Sequence, residues 1–97
     1  MTWWRRTPVR VVIWSRAGCH LCAEMEATVR AVAGSRGTPP VEVVVRDLDE
    51  AGRDDPGLLA RLSALVPVLE VDGVQVARWS VEAATVRAAL RGRPPPR

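Results

Sequence analysis

Apolar and polar positions change period along this chain, and each change marks an element. From Val9 to Trp14 the run Val-Arg-Val-Val-Ile-Trp is dominated by β-branched residues and is too short for an independent helix. It predicts a first strand, buried on at least one face. After the turn Ser15-Arg16-Ala17-Gly18, the apolar residues Cys22, Met25, Val29 and Val32 recur at intervals of three and four, with Glu24 and Arg30 on other faces. That spacing predicts a helix from Cys19 to Ala33, closed by Gly34.

Ser35 to Pro40 reads as a loop, and Val41-Glu42-Val43-Val44-Val45-Arg46-Asp47 as a second strand. The intervening helix is long enough for a parallel crossover. Asp49 to Asp55 is polar, and Asp55-Pro56 joins a capping side chain to a proline at the first helical position, predicting a short helix through Leu58, Leu59 and Leu62. Strand patterns return at Val66–Val71 and Val74–Trp79, separated by Asp72-Gly73, the two-residue chemistry of a type I′ hairpin. Ser80 is expected to cap a last helix carrying Val81, Ala84, Val86 and Leu90, with Gly92 past its end. The order is β-α-β-α-β-β-α, an α/β fold with a four-stranded mixed sheet flanked by helices. Residues 1–8 are expected to be an extended or disordered N-terminus, 9–91 a single domain and 92–97 a flexible Pro/Arg tail.

Composition supports one core and no more, since the 97 residues are 47% apolar. No stretch approaches the roughly 20 apolar residues of a membrane span, and Met1-Thr2-Trp3-Trp4-Arg5-Arg6 lacks the apolar run and cleavage site of a secretory signal. A cytoplasmic, monomeric protein with no membrane partner is expected. The net charge is +3, but all 14 basic residues are arginine and lie among acids, with no tyrosine or phenylalanine for base stacking. Nucleic acid is therefore not an expected partner. Trp79 is expected in the core, whereas Trp3 and Trp4 precede the predicted fold.

The two cysteines, Cys19 and Cys22, sit three residues apart where the strand pattern gives way to the helix pattern. One helical turn brings such positions within the Cα separation that a disulfide tolerates, so the pair can open and close without rearranging the backbone. In a reducing compartment two cysteines are poorly suited to a permanent staple. Cys19 begins the helix, where free N–H groups and the helix dipole favour a thiolate. Cys22 lies on the apolar stripe and is expected to be sheltered, acting as the resolving thiol to the nucleophile Cys19. A zinc or iron–sulfur site needs four ligands, and this segment supplies two cysteines and His20, so metal binding would require a second chain or an external thiol. Arg16 is a positive charge three residues before Cys19, either a modulator of the thiolate, a contact for a substrate carboxylate or a solvated turn residue. His20 either favours the thiolate or points into solvent.

Trp14-Ser15-Arg16-Ala17-Gly18-Cys19-His20-Leu21-Cys22, Val66-Pro67 and Asp72-Gly73 together resemble the glutaredoxin-like family, the minimal form of the thioredoxin fold, over about Val9 to Leu90. The resemblance implies a thiol–disulfide oxidoreductase that cycles Cys19 and Cys22 between dithiol and disulfide. It also implies a cis Val66-Pro67 bond beside the cysteines, with the Val66 backbone docking a disulfide-containing protein or a low-molecular-weight thiol as an added strand would. No bound cofactor is expected, only a thiol electron donor: glutathione, mycothiol or a thioredoxin-type reductase. Leu65 stands where the family pattern has threonine, and Ala77-Arg78-Trp79 where it has Gly-Gly. These departures predict weak or no glutathione-specific turnover. A redox-sensing or adaptor module with little turnover, and an intersubunit metal or iron–sulfur carrier, are the alternatives from other functional classes.

Overall fold

In the computed structural model residues 8–92 are described; the expectations for Trp3, Trp4 and the tail beyond Gly92 lie outside the described residues. Strand β1 runs Val9–Ser15, followed by helix α1 (His20–Ala33), β2 (Val41–Asp47), α2 (Leu48–Ala51), α3 (Pro56–Leu62), β3 (Val68–Val71), β4 (Val74–Arg78) and α4 (Ala83–Leu90). The sheet order is β2-β1-β3-β4, with β1 parallel to β2 and antiparallel to β3, and β3 antiparallel to β4. This is the four-stranded mixed sheet that the β-α-β-α-β-β-α pattern implied and the thioredoxin-like architecture that the resemblance implied, with one short helix added.

Alternation along β1 separates two cores. Val9, Val11 and Ile13 point with Leu69 and Val71 to the face covered by Met25, Val29 and Val32 of α1 and Val86, Ala89 and Leu90 of α4. Trp14 points with Val68 to the opposite face, against Leu48 of α2 and Leu62 of α3. Each aliphatic side chain withdrawn fully from water contributes about 1.5–3 kcal/mol, which makes β1, with a core on each face, the structural centre. None of the helices among the described residues is long and apolar enough to cross a membrane.

Several boundaries differ from the sequence pattern, for identifiable reasons. The polar stretch from Asp49 to Asp55 contains the single turn of α2, too short to show periodicity; Asp47 caps it by accepting the Asp49 and Glu50 N–H groups at 2.8 and 3.2 Å. Strand β3 begins at Val68 rather than Val66, because Pro67 has no N–H to donate. Ser80 does not cap α4: the N-cap is Glu82, without a side-chain cap bond, and the Ser80 N–H instead closes onto the Arg78 carbonyl at 2.7 Å. Trp79 lies outside the core, 48% exposed, with φ of +67°. The expected caps at Cys19 and Asp55 are present, and the Asp72-Gly73 turn has φ of +48° and +84°, as a type I′ hairpin requires.

Gly52, the C-cap of α2, lies against Leu59 of α3. A Cβ there would meet the Leu59 Cβ at 2.8 Å and the Leu48 carbonyl oxygen at 3.0 Å, neither of which is the yielding end of a long side chain. Gly52→Ala is therefore expected to destabilise the protein by about 1–3 kcal/mol, the range for overpacking, read as a lowered urea midpoint at unchanged slope. An unchanged midpoint would show that the α2–α3 contact yields freely.

Candidate active site

The site is built where the central strand hands over to α1. After Ser15 the chain turns through Gly18, whose φ of +73° is the left-handed conformation glycine adopts without a steric penalty. The Cys19 N–H closes the turn on the Arg16 carbonyl at 3.3 Å. Cys19 itself is extended, with φ of −85° and ψ of 108°, and is the N-cap of α1. Its Sγ accepts the Cys22 N–H at 3.1 Å, taking the role that a serine or aspartate oxygen fills in other helices.

Cys19 and Cys22 are disulfide-bonded, with Cα atoms 5.2 Å apart, inside the range such bonds tolerate. The two sulfurs are unequal in access: Cys22 is 4% exposed and lies with Met25, Val29 and Val32 on the buried side of α1, whereas Cys19 is only partly buried. No acidic residue occupies the first turn of α1, so nothing on that turn opposes negative charge on Cys19. A helix-capping, accessible sulfur paired with a buried one is the arrangement of a redox-type module.

Arg16 faces away from simple solvation. Its Nε and Nη2 donate to Asp49 Oδ2 and Oδ1 at 3.0 and 2.6 Å, and Nη1 donates to Ser63 Oγ at 3.1 Å. The planar fork of arginine suits this two-pronged grip on a carboxylate. One side chain thus ties the cysteine turn to the first turn of α2 and the C-cap of α3. The hydrogen bond and charge of Arg16 hold the Asp49 carboxyl below its usual range, and Asp49 in turn raises the Arg16 guanidinium further. His20 takes the solvent-facing of its two expected placements, with its side chain 87% exposed and Nε2 2.8 Å from Glu24 Oε2 one turn along.

The Val66-Pro67 bond is cis and Pro67 is fully buried. Because Val68 pairs with Trp14, Pro67 enters the sheet at the same end at which β1 leaves for the cysteine turn. The Pro67 carbonyl accepts the Trp79 N–H at 2.7 Å, while the Val66 backbone N–H and C=O make no hydrogen bond among the described residues. Beneath this end, Trp14 Nε1 donates to Glu70 Oε2 at 3.0 Å and Arg46 lies over its ring at 4.7 Å from the centroid. Asp49, Ser63 and Glu70 were not singled out in the sequence, because their partners lie 33 to 56 residues away and no local spacing reports them. The Asp47-x-Asp49 spacing after β2 was the available signal, since it marks a capped helix start beside the cysteine turn.

The family model described as Glutaredoxin-like domain (DUF836) matches residues 10–91. Among solved structures, the solution NMR structure of protein Ne2328 from Nitrosomonas europaea is similar to this chain at 25% identity and a TM-score of 0.69, covering 89% of this chain and 95% of that one. The X-ray structure of a structural genomics target protein from X. campestris shares the fold at 24% identity and a TM-score of 0.63, covering 87% of this chain and 99% of that one. No curated protein matches the chain.

The Arg16–Asp49 tie carries a pH signature. Because the Asp49 pKa is lowered on folding, its contribution is complete above the unfolded aspartate value of about 4 and is lost as pH falls through the folded value below it. The difference in thermal midpoint between the native protein and Asp49→Asn is expected to be constant from about pH 7 to 5 and to shrink as pH falls below the unfolded aspartate value of about 4. A difference that persists at acid pH would assign the tie to packing rather than charge.

Proposed function

The chain belongs to the Glutaredoxin-like domain (DUF836) family, and from that membership and the Cys19 cap we propose that it is a thiol–disulfide oxidoreductase. The observation that carries this reading is the Cys19 Sγ accepting the Cys22 N–H at the start of α1, since the same N–H and helix dipole favour a thiolate once the disulfide is reduced. In the reduced protein the Cys19 thiolate attacks one sulfur of a substrate disulfide. That S–S bond breaks, a mixed disulfide forms on Cys19, and the first substrate thiolate leaves and takes a proton from solvent. Cys22, losing its proton, then attacks Cys19 Sγ, re-forming the Cys19–Cys22 bond and expelling the second substrate thiolate. Two electrons pass from the dithiol to the substrate, and an external thiol or dithiol restores the starting state.

Val66 and Pro67 supply the substrate-facing backbone in this reading, Val66 with an N–H and C=O that make no hydrogen bond among the described residues and that an extended segment can pair with. Arg16 acts as a positioning residue for the turn, held by Asp49 and Ser63. Glutathione is a poor fit as donor: Leu65 and Ala77-Arg78-Trp79 depart from the family pattern, and Arg16 is already engaged by a carboxylate. A thioredoxin-type reductase or another cellular thiol such as mycothiol is the proposed source of electrons. A redox sensor built on the same pair need not recycle quickly, so steady-state turnover separates the two functions.

Reduced protein treated with iodoacetamide at mildly acidic pH is expected to be alkylated at Cys19 before Cys22. Cys22→Ser is expected to accumulate mixed disulfides through Cys19, and Cys19→Ser to lose disulfide reduction to background. Faster labelling of Cys22 reverses the two roles. Fast, saturable reduction of a glutathione mixed disulfide with glutathione alone as donor overturns the choice of donor.

A further inference from the structure

Trp79 combines a half-exposed indole with a backbone held in an unusual conformation. It is 48% exposed, and φ of +67° is an outlier for a bulky side chain that persists only where the surroundings impose it. The surroundings are specific. Its N–H donates to the Pro67 carbonyl at 2.7 Å, its Nε1 donates to the Ala64 carbonyl at 3.0 Å, and the Ser80 N–H closes a tight three-residue turn around it onto Arg78. The Arg78 guanidinium lies 4.7 Å from the ring centroid and helps to orient the indole. An aromatic ring is thus fixed against the 64–67 segment yet left open to solvent.

Across a small cleft stands Leu21, the residue between His20 and Cys22, itself 46% exposed. The cleft is lined by Leu21, Glu24, Met25 and Thr28 of α1 and by Trp79, Ser80 and Val81; Glu24, its one charged residue, lies 2.8 Å from His20 Nε2. Among the described residues, two of the four large exposed apolar side chains, Leu21 and Trp79, therefore line the same cleft, which Leu21 joins to the disulfide as the chain neighbour of Cys22. The basic groups of the cysteine segment are meanwhile engaged: Arg16 with Asp49, and His20 with Glu24. An anionic thiol finds both of those side chains already partnered and Glu24 in the cleft, whereas an uncharged segment finds the apolar surfaces of Leu21 and Trp79 and, at Val66, a backbone N–H and C=O that make no hydrogen bond among the described residues.

We propose that Leu21 and Trp79 recognise an extended, uncharged protein segment with an apolar residue beside its disulfide-bonded cysteine, and so set the substrate class of the Cys19–Cys22 pair. This inference rests on the oxidoreductase reading. The indole covers the apolar neighbour while the Val66 backbone fixes the direction of the incoming segment. A rigid aromatic does this with little loss of side-chain entropy, which is why tryptophan dominates many contact surfaces.

The test uses single-turnover oxidation of the reduced protein, so no electron donor enters. Three disulfides are compared: hydroxyethyl disulfide, and two peptides whose single cysteine is linked to 2-mercaptoethanol, one with Leu and Phe beside the cysteine, the other with Asp and Glu. The apolar peptide is expected to react at least about tenfold faster than the acidic one, and Trp79→Gly to reduce its rate relative to hydroxyethyl disulfide at least about tenfold. Glycine accepts the φ of +67° without steric cost, so this variant removes the ring while suiting the backbone. Leu21→Ser is expected to act in the same direction, and Val74→Ser, 59% exposed on the distant hairpin, to leave the ratio unchanged. Equal rates for both peptides, or a ratio indifferent to Trp79→Gly and Leu21→Ser, overturn the inference while leaving the oxidoreductase reading intact. Failure of all three disulfides to oxidise the protein overturns that reading instead. A dimer in sedimentation that Trp79→Gly dissociates would assign the cleft to a second copy of the chain and overturn the inference.

Discussion

The hydrogen bond from the Cys22 N–H to Cys19 Sγ joins the fold of this protein to its chemistry. A helix begins with N–H groups that lack intrahelical acceptors, and some atom outside the helix must satisfy them. Here that atom is sulfur. In the proposed oxidoreductase, the requirement that α1 be capped and the requirement that Cys19 hold negative charge are met by one contact, so the group that stabilises the helix start is the group that changes oxidation state. The buried stripe of Met25, Val29 and Val32 fixes the rotation of α1, and this decides that Cys22 is covered while Cys19 stays accessible.

The capped turn holds its place because β1 is the anchored strand of the sheet. It pairs with β2 on one side and β3 on the other, and both of its faces lie under helices. Pairing of Trp14 with Val68 brings the 64–67 segment to the end where the cysteines emerge, and pairing of Ser15 with Asp47 brings the first turn of α2 there as well. Arg16 then links that turn to α2 and α3 through Asp49 and Ser63. Non-local strand pairing thus assembles the site, and local helix chemistry sets the character of its sulfur.

What the sequence made legible follows the range of each interaction. Strands β1 and β2 and helix α1 were readable because their patterns extend over seven to fourteen residues, and the Asp72-Gly73 turn because its φ angles demand those residues. The one turn of α2 was invisible to periodicity, although Leu48 at 0% exposure anchors it firmly. Arg16 was noticed for its charge and its distance from Cys19, but its partner was not, because Asp49 is close only after β1 and β2 pair. Trp79 was misplaced into the core because apolarity was the one signal available. Its exposure comes from a backbone conformation imposed by bonds to Pro67 and Ala64, which composition does not encode.

The difference between Arg16 and Trp79 bears on what such a site admits. A guanidinium held by two carboxylate oxygens and a hydroxyl has little left to give an incoming anion, and releasing it would break the link between the cysteine turn and α2. The indole is bonded at its nitrogen, while its apolar surface remains open where Leu21 stands opposite. Arg16 and His20, beside the disulfide, have carboxylate partners within the chain, whereas Leu21 and Trp79 leave apolar surface exposed. Water penalises exposed apolar area and rewards its burial by a partner, with no gain for pairing charges already paired. In the proposed oxidoreductase, recognition at this end of the sheet is therefore governed by apolar surface, with the Cys19 thiolate of the reduced protein as the reactive centre.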